Sequence, residues 1–209
     1  MFGYPDVLQD PPAEVLARFH ADAVVIGSLF LLLAAGAGLL APVALGLRHL
    51  PVPGRLPGAG RLPGAGRLPG AGRLPGAAAA VGVAAAVVQV VGLLRWPLVV
   101  PFVTDAATFR TLNVVLGQAV GETAGYALTA TWTVLAVTAL RRAGVIARAF
   151  AALGTVSAAM ILAGVLVPLD VPGADLTNFL GYVLWSLWLV ALGVHLVRRR
   201  REAPALATA

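Results

Sequence analysis

The chain has 209 residues, of which 59% are hydrophobic and only 11% are charged. About a quarter of the residues in a soluble domain are charged, so this composition excludes an ordinary soluble domain and predicts an integral membrane protein. All fifteen basic residues are arginine, and cysteine is absent, which excludes disulfides and cysteine-ligated metals. The net charge of +6 does not predict nucleic-acid binding, because the arginines lie mainly between apolar segments.

Residues 1–20 are expected to lie outside the cytoplasm and to contain a short interfacial helix. Asp10 is a candidate N-cap, and a proline in the first turn suits a helix start. Three apolar side chains then share one face, which is typical of a helix lying on a membrane surface: Val15, Leu16 and Phe19. No cleavable signal peptide is expected, because acidic residues stand where a signal would be basic.

Five segments are apolar over the roughly 20 residues that a membrane-spanning helix needs. Backbone polar groups in lipid must form hydrogen bonds within their own segment, so helices are expected here. The predicted fold is an all-α, polytopic transmembrane bundle of five spanning helices plus short interfacial helices. The predicted spans are residues 21–47, 78–103, 118–140, 145–167 and 176–197.

The connection at residues 48–77 contains the sequence GRLPGA written four times in succession. Each copy has one proline and two glycines, which disfavour helix and favour turns. We therefore expect a flexible linker on the cytoplasmic side. The alternative is that the arginines of the repeat bind anionic lipid headgroups.

Residues 104–117 are expected to form a second interfacial segment at the outer surface. Thr104 or Asp105 can cap it, and Pro97 and Pro101 are expected to kink or end the preceding span. Three apolar residues line one side of the segment: Phe109, Leu112 and Leu116.

Arginine distribution predicts the orientation, because cytoplasmic loops are enriched in basic residues. Arginines follow the first and third spans and fill the tail at residues 198–209, whereas acidic residues lie mainly at the opposite ends. We expect an extracytoplasmic N-terminus and a cytoplasmic C-terminus. The absence of lysine beside abundant alanine, glycine, proline and arginine is typical of a GC-rich bacterial gene, so the bacterial plasma membrane is the expected location.

Polar side chains inside spans are costly and mark candidate functional sites. A polar stripe runs along the third span at the spacing of three or four residues that places side chains on one face of an α-helix, and the second span adds Gln89. The stripe consists of Gln118, Glu122, Tyr126, Thr129 and Thr133. We hypothesise an ion pair between Arg95 and Glu122 at the outer depth of the membrane. The alternative is that the arginine reaches the headgroups and the glutamate faces water. The candidate cluster is Arg95, Gln118, Glu122, Tyr126, Asn178 and Tyr182.

A second stripe on the third span consists of the small residues Gly117, Gly121 and Gly125. Small residues four apart let two helix backbones approach closely. The stripe is expected either to pack inside the bundle or to mediate helix–helix self-association between copies. Among the aromatic residues, Tyr4, Trp96 and Phe102 are expected to anchor the outer interface, and the other tryptophans are expected to pack between helices.

No catalytic residue, cofactor site or metal site is predicted. His20 lies at the outer edge, whereas His49 and His195 lie at the inner edge, so they cannot form a three-ligand zinc site. Metalloprotease, hydrolase and phosphate-loop motifs are missing from the sequence. An intramembrane enzyme using Glu122 as acid or base would need a second catalytic group, which the sequence does not offer.

Four stretches carry a family resemblance: PPAEVLARFH (11–20), LLRWPLVVPF (93–102), GETAGYALTATWTVL (121–135) and NFLGYVLWSLWLVALGV (178–194). The chain resembles an uncharacterised bacterial integral-membrane family, domain of unknown function 4386. In that family the first stretch follows a transmembrane helix, so the resemblance implies that a first helix is missing upstream of Met1. The family has no established activity, so no functional residue is implied.

These observations predict a non-enzymatic membrane protein with an accessory or lipid-associated role. The alternative is a small-molecule binder or transporter that uses the outer-leaflet polar cluster between the second, third and fifth spans.

Overall fold

A computed structural model of the chain describes residues 2–3, 6–48 and 74–205, and every regular element in these ranges is helical. The predictions made for Tyr4 and His49 lie outside the described residues. So does most of the GRLPGA repeat.

The chain begins with a short helical turn, Asp6–Gln9, followed by α1, Pro12–Ala21. The predicted apolar face of α1 is confirmed, because Val15, Leu16 and Phe19 are all buried. The predicted N-cap is wrong: no side chain caps α1, and the Asp10 carboxylate instead accepts a hydrogen bond from Arg18, with 2.6 Å between Oδ2 and Nη1. The helix begins at Pro12 with Pro11 in the N-cap position, so Asp10 lies one residue too early to cap it.

Two helices, α2 (Ala23–Gly38) and α3 (Leu40–Leu47), together make the first membrane-spanning segment, Ala23–Leu47. The second span starts with α4, Leu74–Leu98, and continues through a 3₁₀ turn, Val100–Phe102. As expected from its proline, the α-helix ends one residue after Pro97.

The third long helix is continuous from Ala106 to Arg142. It consists of α5 (Ala106–Leu112), a π-helical segment (Asn113–Ala124, hereafter the π segment) and α6 (Gly125–Arg142). The expectation of a separate interfacial segment at residues 104–117 is corrected in one respect, because no break divides it from the span. At 1.5 Å per residue, its α-helical parts alone extend over about 37 Å, which exceeds the hydrocarbon thickness of a bilayer.

The start of α5 is capped as predicted by Asp105, whose Oδ1 accepts a hydrogen bond from the Thr108 backbone N–H at 2.7 Å. This hydrogen bond from Thr108 lowers the pKa of the Asp105 carboxyl below its ordinary value, because it favours the charged form.

The last two spans are joined by a tight turn. The fourth, Arg148–Leu169, comprises α7 (Arg148–Leu162) and a 3₁₀ segment (Ala163–Leu169). The turn contains Asp170 in the left-handed region, with φ of 53°. The helix α8, Ala174–Ala205, contains the fifth span. The prediction of an all-α bundle with five spans is confirmed, and the chain is a multi-pass membrane protein.

Consecutive spans pack side by side in chain order. The central helix α4 contacts α2, α3 and α6, while α7 lies between α6 and α8. We call the end of the bundle that carries α1 the N-terminal end, and the end that carries the last residues of α8 the C-terminal end. Large apolar side chains such as Leu32, Phe179 and Val190 remain exposed on the outer faces, which is the surface expected to contact lipid.

An aromatic cluster closes the N-terminal end. Trp96 is fully buried against the rings of Phe19, Phe30 and Phe109. The prediction that this tryptophan anchors the membrane interface is therefore wrong: α1 and α5 fold over it and remove it from the surface. Phe102 is 82% exposed, as an interfacial residue would be.

Candidate functional site

The second and third spans cross with their backbones in contact. A Cβ atom added to Gly92 of α4 would lie only 2.5 Å from the Cα of Gly121, so neither glycine leaves room for a side chain at this point. Contacts on both sides of this point give the antiparallel register of the crossing. The facing pairs are Gln89 with Gly125, Gly92 with Gly121, and Arg95 with Gly117.

The glycine stripe of the third span is thus used inside the chain. Gly117 leaves space for the guanidinium of Arg95: a Cβ atom there would lie 2.7 Å from Nη2. Gly125 similarly accommodates the side chain of Gln89: a Cβ atom added to Gly125 would lie 3.0 Å from the Cγ of Gln89. Of the two alternatives for the stripe, the structure favours packing within the bundle.

Arg95 lies in the interior at this crossing, with only 3% of its surface exposed. Its Nη1 donates to the carbonyl oxygen of Gly92 at 2.5 Å, and its Nη2 donates to Oδ1 of Asn113 at 3.0 Å. The guanidinium carbon is 5.2 Å from the ring centroid of Trp96, within cation–π range. Among the described residues, its Nε has no hydrogen-bond partner. These contacts hold a charge that would be costly to bury without polar neighbours.

Asn113 is the functional candidate that the sequence analysis missed. It is buried and begins the π segment, where backbone hydrogen bonds join residues five apart rather than four. Sequence reasoning placed it in a surface segment, so its approach to the second span was not foreseen. The one signal in the sequence was an amide residue among apolar neighbours, a pattern that also suits an exposed position.

The π segment also forms one wall of a cleft of about 480 Å³ at the N-terminal end. The opposite wall is formed by the first helical turn and the start of α1, and Asn113 and Gln118 belong to the lining. Asn113 therefore connects the cleft to the buried guanidinium of Arg95. The lining residues are Leu8, Gln9, Asp10, Pro11, Pro12, Val15, Phe109, Arg110, Asn113, Val114 and Gln118.

A second polar group lies where α6, α8 and the 3₁₀ segment after α7 meet. The rings of Tyr126 and Tyr182 are 5.8 Å apart, edge to face. Asn178 donates from Nδ2 to the carbonyl oxygen of Ile161 at 2.7 Å. A side chain at Gly164 would collide with both Asn178 and Tyr126, so these two residues meet across the glycine.

Hydrogen bonds continue from this group towards the middle of the bundle. Gln89 of α4 donates from Nε2 to Oγ1 of Thr129 at 2.5 Å. Trp185 of α8 donates from Nε1 to Oγ1 of Thr133 at 2.8 Å, and that hydroxyl donates to the Thr129 carbonyl oxygen at 2.8 Å. The second, third and fifth spans are thereby joined by one polar ladder.

The family model described as domain of unknown function (DUF4386) matches residues 72–193. The chain belongs to the DUF4386 family. The DUF4386 match contains Arg95, the whole π segment and the polar ladder, and three of the four resembling stretches lie wholly or largely inside it. The stretch at residues 11–20 lies outside it. No curated protein and no solved structure matches the chain.

In this DUF4386 chain the contacts join three of the six predicted cluster residues and place the other three elsewhere on the second and third spans. Tyr126, Asn178 and Tyr182 are together, while Arg95 lies with Asn113 beside the π segment. Gln118 lines the cleft. Glu122 is half-buried on the π segment, and its ion pair with Arg95 stays a prediction.

Proposed function

We propose that this chain is a non-enzymatic protein of the bacterial plasma membrane that binds a small amphiphilic molecule in the cleft at its N-terminal end. The observation that carries the proposal is the cleft of about 480 Å³ whose lining residue Asn113 also holds a buried guanidinium. Its volume is typical of small-molecule sites, which are largely apolar with a few well-placed polar groups.

The lining suggests the chemistry of the ligand. Leu8 and Val114 offer apolar surface, whereas the amides of Asn113 and Gln118 provide both donors and acceptors. Asp10 and Arg110 contribute one charge of each sign, so their net charge is zero. This combination favours an amphiphile with a neutral or zwitterionic polar group, which includes lipid-like molecules.

Transport is a second candidate function, favoured by the π segment and the polar ladder. Long π segments are rare, and single π turns are frequent at functional sites. Along the third long helix, the contact between Gly92 and Gly121 lies between the cleft and the ladder. A transported ligand would require this contact to open. Uptake of a bound compound into proteoliposomes would distinguish transport from binding alone.

We place the N-terminus outside the cell and the C-terminus in the cytoplasm, an orientation that the distribution of arginines supports. Arginines of the first and third connections would then lie near anionic headgroups of the inner leaflet. The occupied glycine stripe gives no support to self-association through Gly117, Gly121 and Gly125.

A thermal-shift screen of the purified full chain against lipids and lipophilic small molecules tests the binding proposal. Val114 lines the cleft and is 46% exposed, while its neighbour Val115 is 50% exposed and does not line it. We expect Val114→Trp to fill the cleft and abolish the stabilisation that a hit compound gives the wild type. Val115→Trp, the matched control, is expected to keep that stabilisation.

The proposal fails if no compound stabilises the wild type more than Val114→Trp, or if the two tryptophan variants respond alike. Gln118→Ala gives a milder check, because losing one ligand hydrogen bond is expected to weaken binding by about tenfold.

A further inference from the structure

A second cleft, of about 470 Å³, lies at the C-terminal end between α7 and α8. Its walls are mainly apolar, and α8 contributes two basic residues, His195 and Arg198. The lining residues are Ile146, Ala147, Phe150, Ala191, Val194, His195 and Arg198.

The walls of this cleft are fixed by hydrogen bonds to the connection between α6 and α7. His195 contacts the carbonyl oxygen of Val145 through Nε2 at 2.9 Å, and because a carbonyl only accepts, this nitrogen carries the proton. Arg141 donates from Nη1 to the carbonyl oxygen of Ile146 at 2.9 Å. Phe150 stacks on Trp188, which donates to its carbonyl oxygen at 3.1 Å.

Positive charge predominates at this end of the bundle. Arg198 is followed by three more arginines in the sequence. Arg141 and Arg142 end α6, and Arg148 begins α7. Of the acidic residues in the sequence, Glu202 follows these arginines, whereas the acidic residues before it lie towards the opposite end wherever the structure describes their side chains. The cleft therefore combines an apolar interior with a cationic rim.

We propose that this cleft binds an anionic phospholipid, with its phosphate at Arg198 beside His195 and one acyl chain along Ile146, Phe150 and Val194. Arginine suits a phosphate because its planar fork can donate two parallel hydrogen bonds. The apolar walls would gain nothing from a free phosphate ion, so a lipid fits the whole cleft and the ion only its rim. Basic pockets between transmembrane helices are a known mode of anionic lipid recognition.

This inference rests on the membrane location in the proposed function, but not on the N-terminal cleft or the orientation. The test uses the purified full chain in a detergent of zero net charge. Both ends of the protein are then accessible from the same solution, so the result does not depend on the orientation in the membrane. Binding of phosphatidylglycerol and of phosphatidylcholine is titrated by following the melting temperature. Arg198→Gln is compared with Arg199→Gln, which removes the same charge one position away and does not line the cleft.

We expect the wild type to prefer phosphatidylglycerol, and Arg198→Gln to weaken that binding by about fivefold, the effect of losing one favourable charge contact. Arg199→Gln is expected to change it by less than about twofold. Inorganic phosphate is expected to leave the wild type unaffected. Val114→Trp is expected to bind phosphatidylglycerol normally, which separates this site from the N-terminal cleft.

Three results would overturn the inference. Equal losses in the two arginine variants would indicate diffuse attraction to the basic tail. Equal binding of the two lipids by the wild type would exclude a role for headgroup charge. Stabilisation by inorganic phosphate that matches the lipid would reduce the site to an anion site. Each variant is first melted without lipid, so that a folding defect is separated from lost binding.

Discussion

Arg95 is the residue on which the polar interior near the N-terminal end depends. A charge inside an apolar span stands out in a sequence, so Arg95 is identified by hydropathy alone. Hydropathy does not identify its hydrogen-bond partner, Asn113, because an asparagine is a common residue in a segment that is predicted to lie at the membrane surface. The register between two packed helices decides which groups donate to or accept from a buried guanidinium. The spacing of residues within one helix does not specify that register.

A double-mutant cycle tests whether Glu122 is coupled to Arg95. If the two side chains pair, Glu122→Gln should destabilise the protein by about 3–5 kcal/mol, because it leaves the buried charge of Arg95 without its partner. Arg95→Gln should cost less through the pair, because the Glu122 carboxylate that it leaves is only half-buried. The double variant should then lose less than the sum, by about 0.5–3 kcal/mol. Melting temperatures and yields in detergent provide the measurement.

Arg110→Gln, which removes an exposed arginine, controls for net charge in this cycle. Strictly additive effects of Arg95→Gln and Glu122→Gln would show that the predicted pair does not exist.

The third long helix shows what sequence periodicity can and cannot specify. Its length, its glycine stripe and the cap at Asp105 were predicted, since apolar composition, small residues and capping chemistry are local signals. The π segment could not be predicted from the sequence. An apolar helix has the same sequence pattern whether its backbone hydrogen bonds join residues four or five apart. The polar stripe assumed α-helical geometry, in which residues four apart share a face. Gln118 and Glu122 both lie in the π segment, so a spacing of four does not place them on the same face.

The crossing of α4 with the π segment is tested by adding one carbon atom. Gly92→Ala would place a methyl group 2.5 Å from the Gly121 backbone, so the two helices must separate. We expect a loss of about 2 kcal/mol or more in the free energy of unfolding, as for other overpacked cores. Gly36→Ala, at an exposed helical position with no atom within 4 Å, is expected to leave stability unchanged or slightly improved. Equal melting of the two variants would contradict the close approach.

At the scale of the whole molecule, hydropathy alone predicted five spans, because lipid allows few alternatives to an apolar helix of the right length. The neighbours of each span were not predicted, and neither was the folding of α1 over Trp96. Those features depend on side-chain shape across elements that are distant in sequence.

Orientation can be measured directly, because the natural chain has no cysteine and accepts single cysteines without other changes. We expect Val171→Cys, in the turn before α8, to react with a membrane-impermeant maleimide in right-side-out vesicles. Ala59→Cys, in the GRLPGA repeat, should react only after detergent is added. The opposite labelling pattern would reverse the proposed topology, and failure of both to react in detergent would show blocked sites.

The three facing pairs at the helix crossing lie along one line, so they fix translation as well as rotation. If α4 moved along its partner by one turn towards Asn113, the guanidinium would leave the recess at Gly117 and meet a larger side chain. If it moved one turn the other way, Gln89 would face Thr129 in place of the space at Gly125. The free energy of a cation in a bilayer rises steeply towards the midplane. The crossing therefore fixes the position of the Arg95 guanidinium along the second and third spans, and any sliding of one helix past the other would change the depth of that charge in the bilayer.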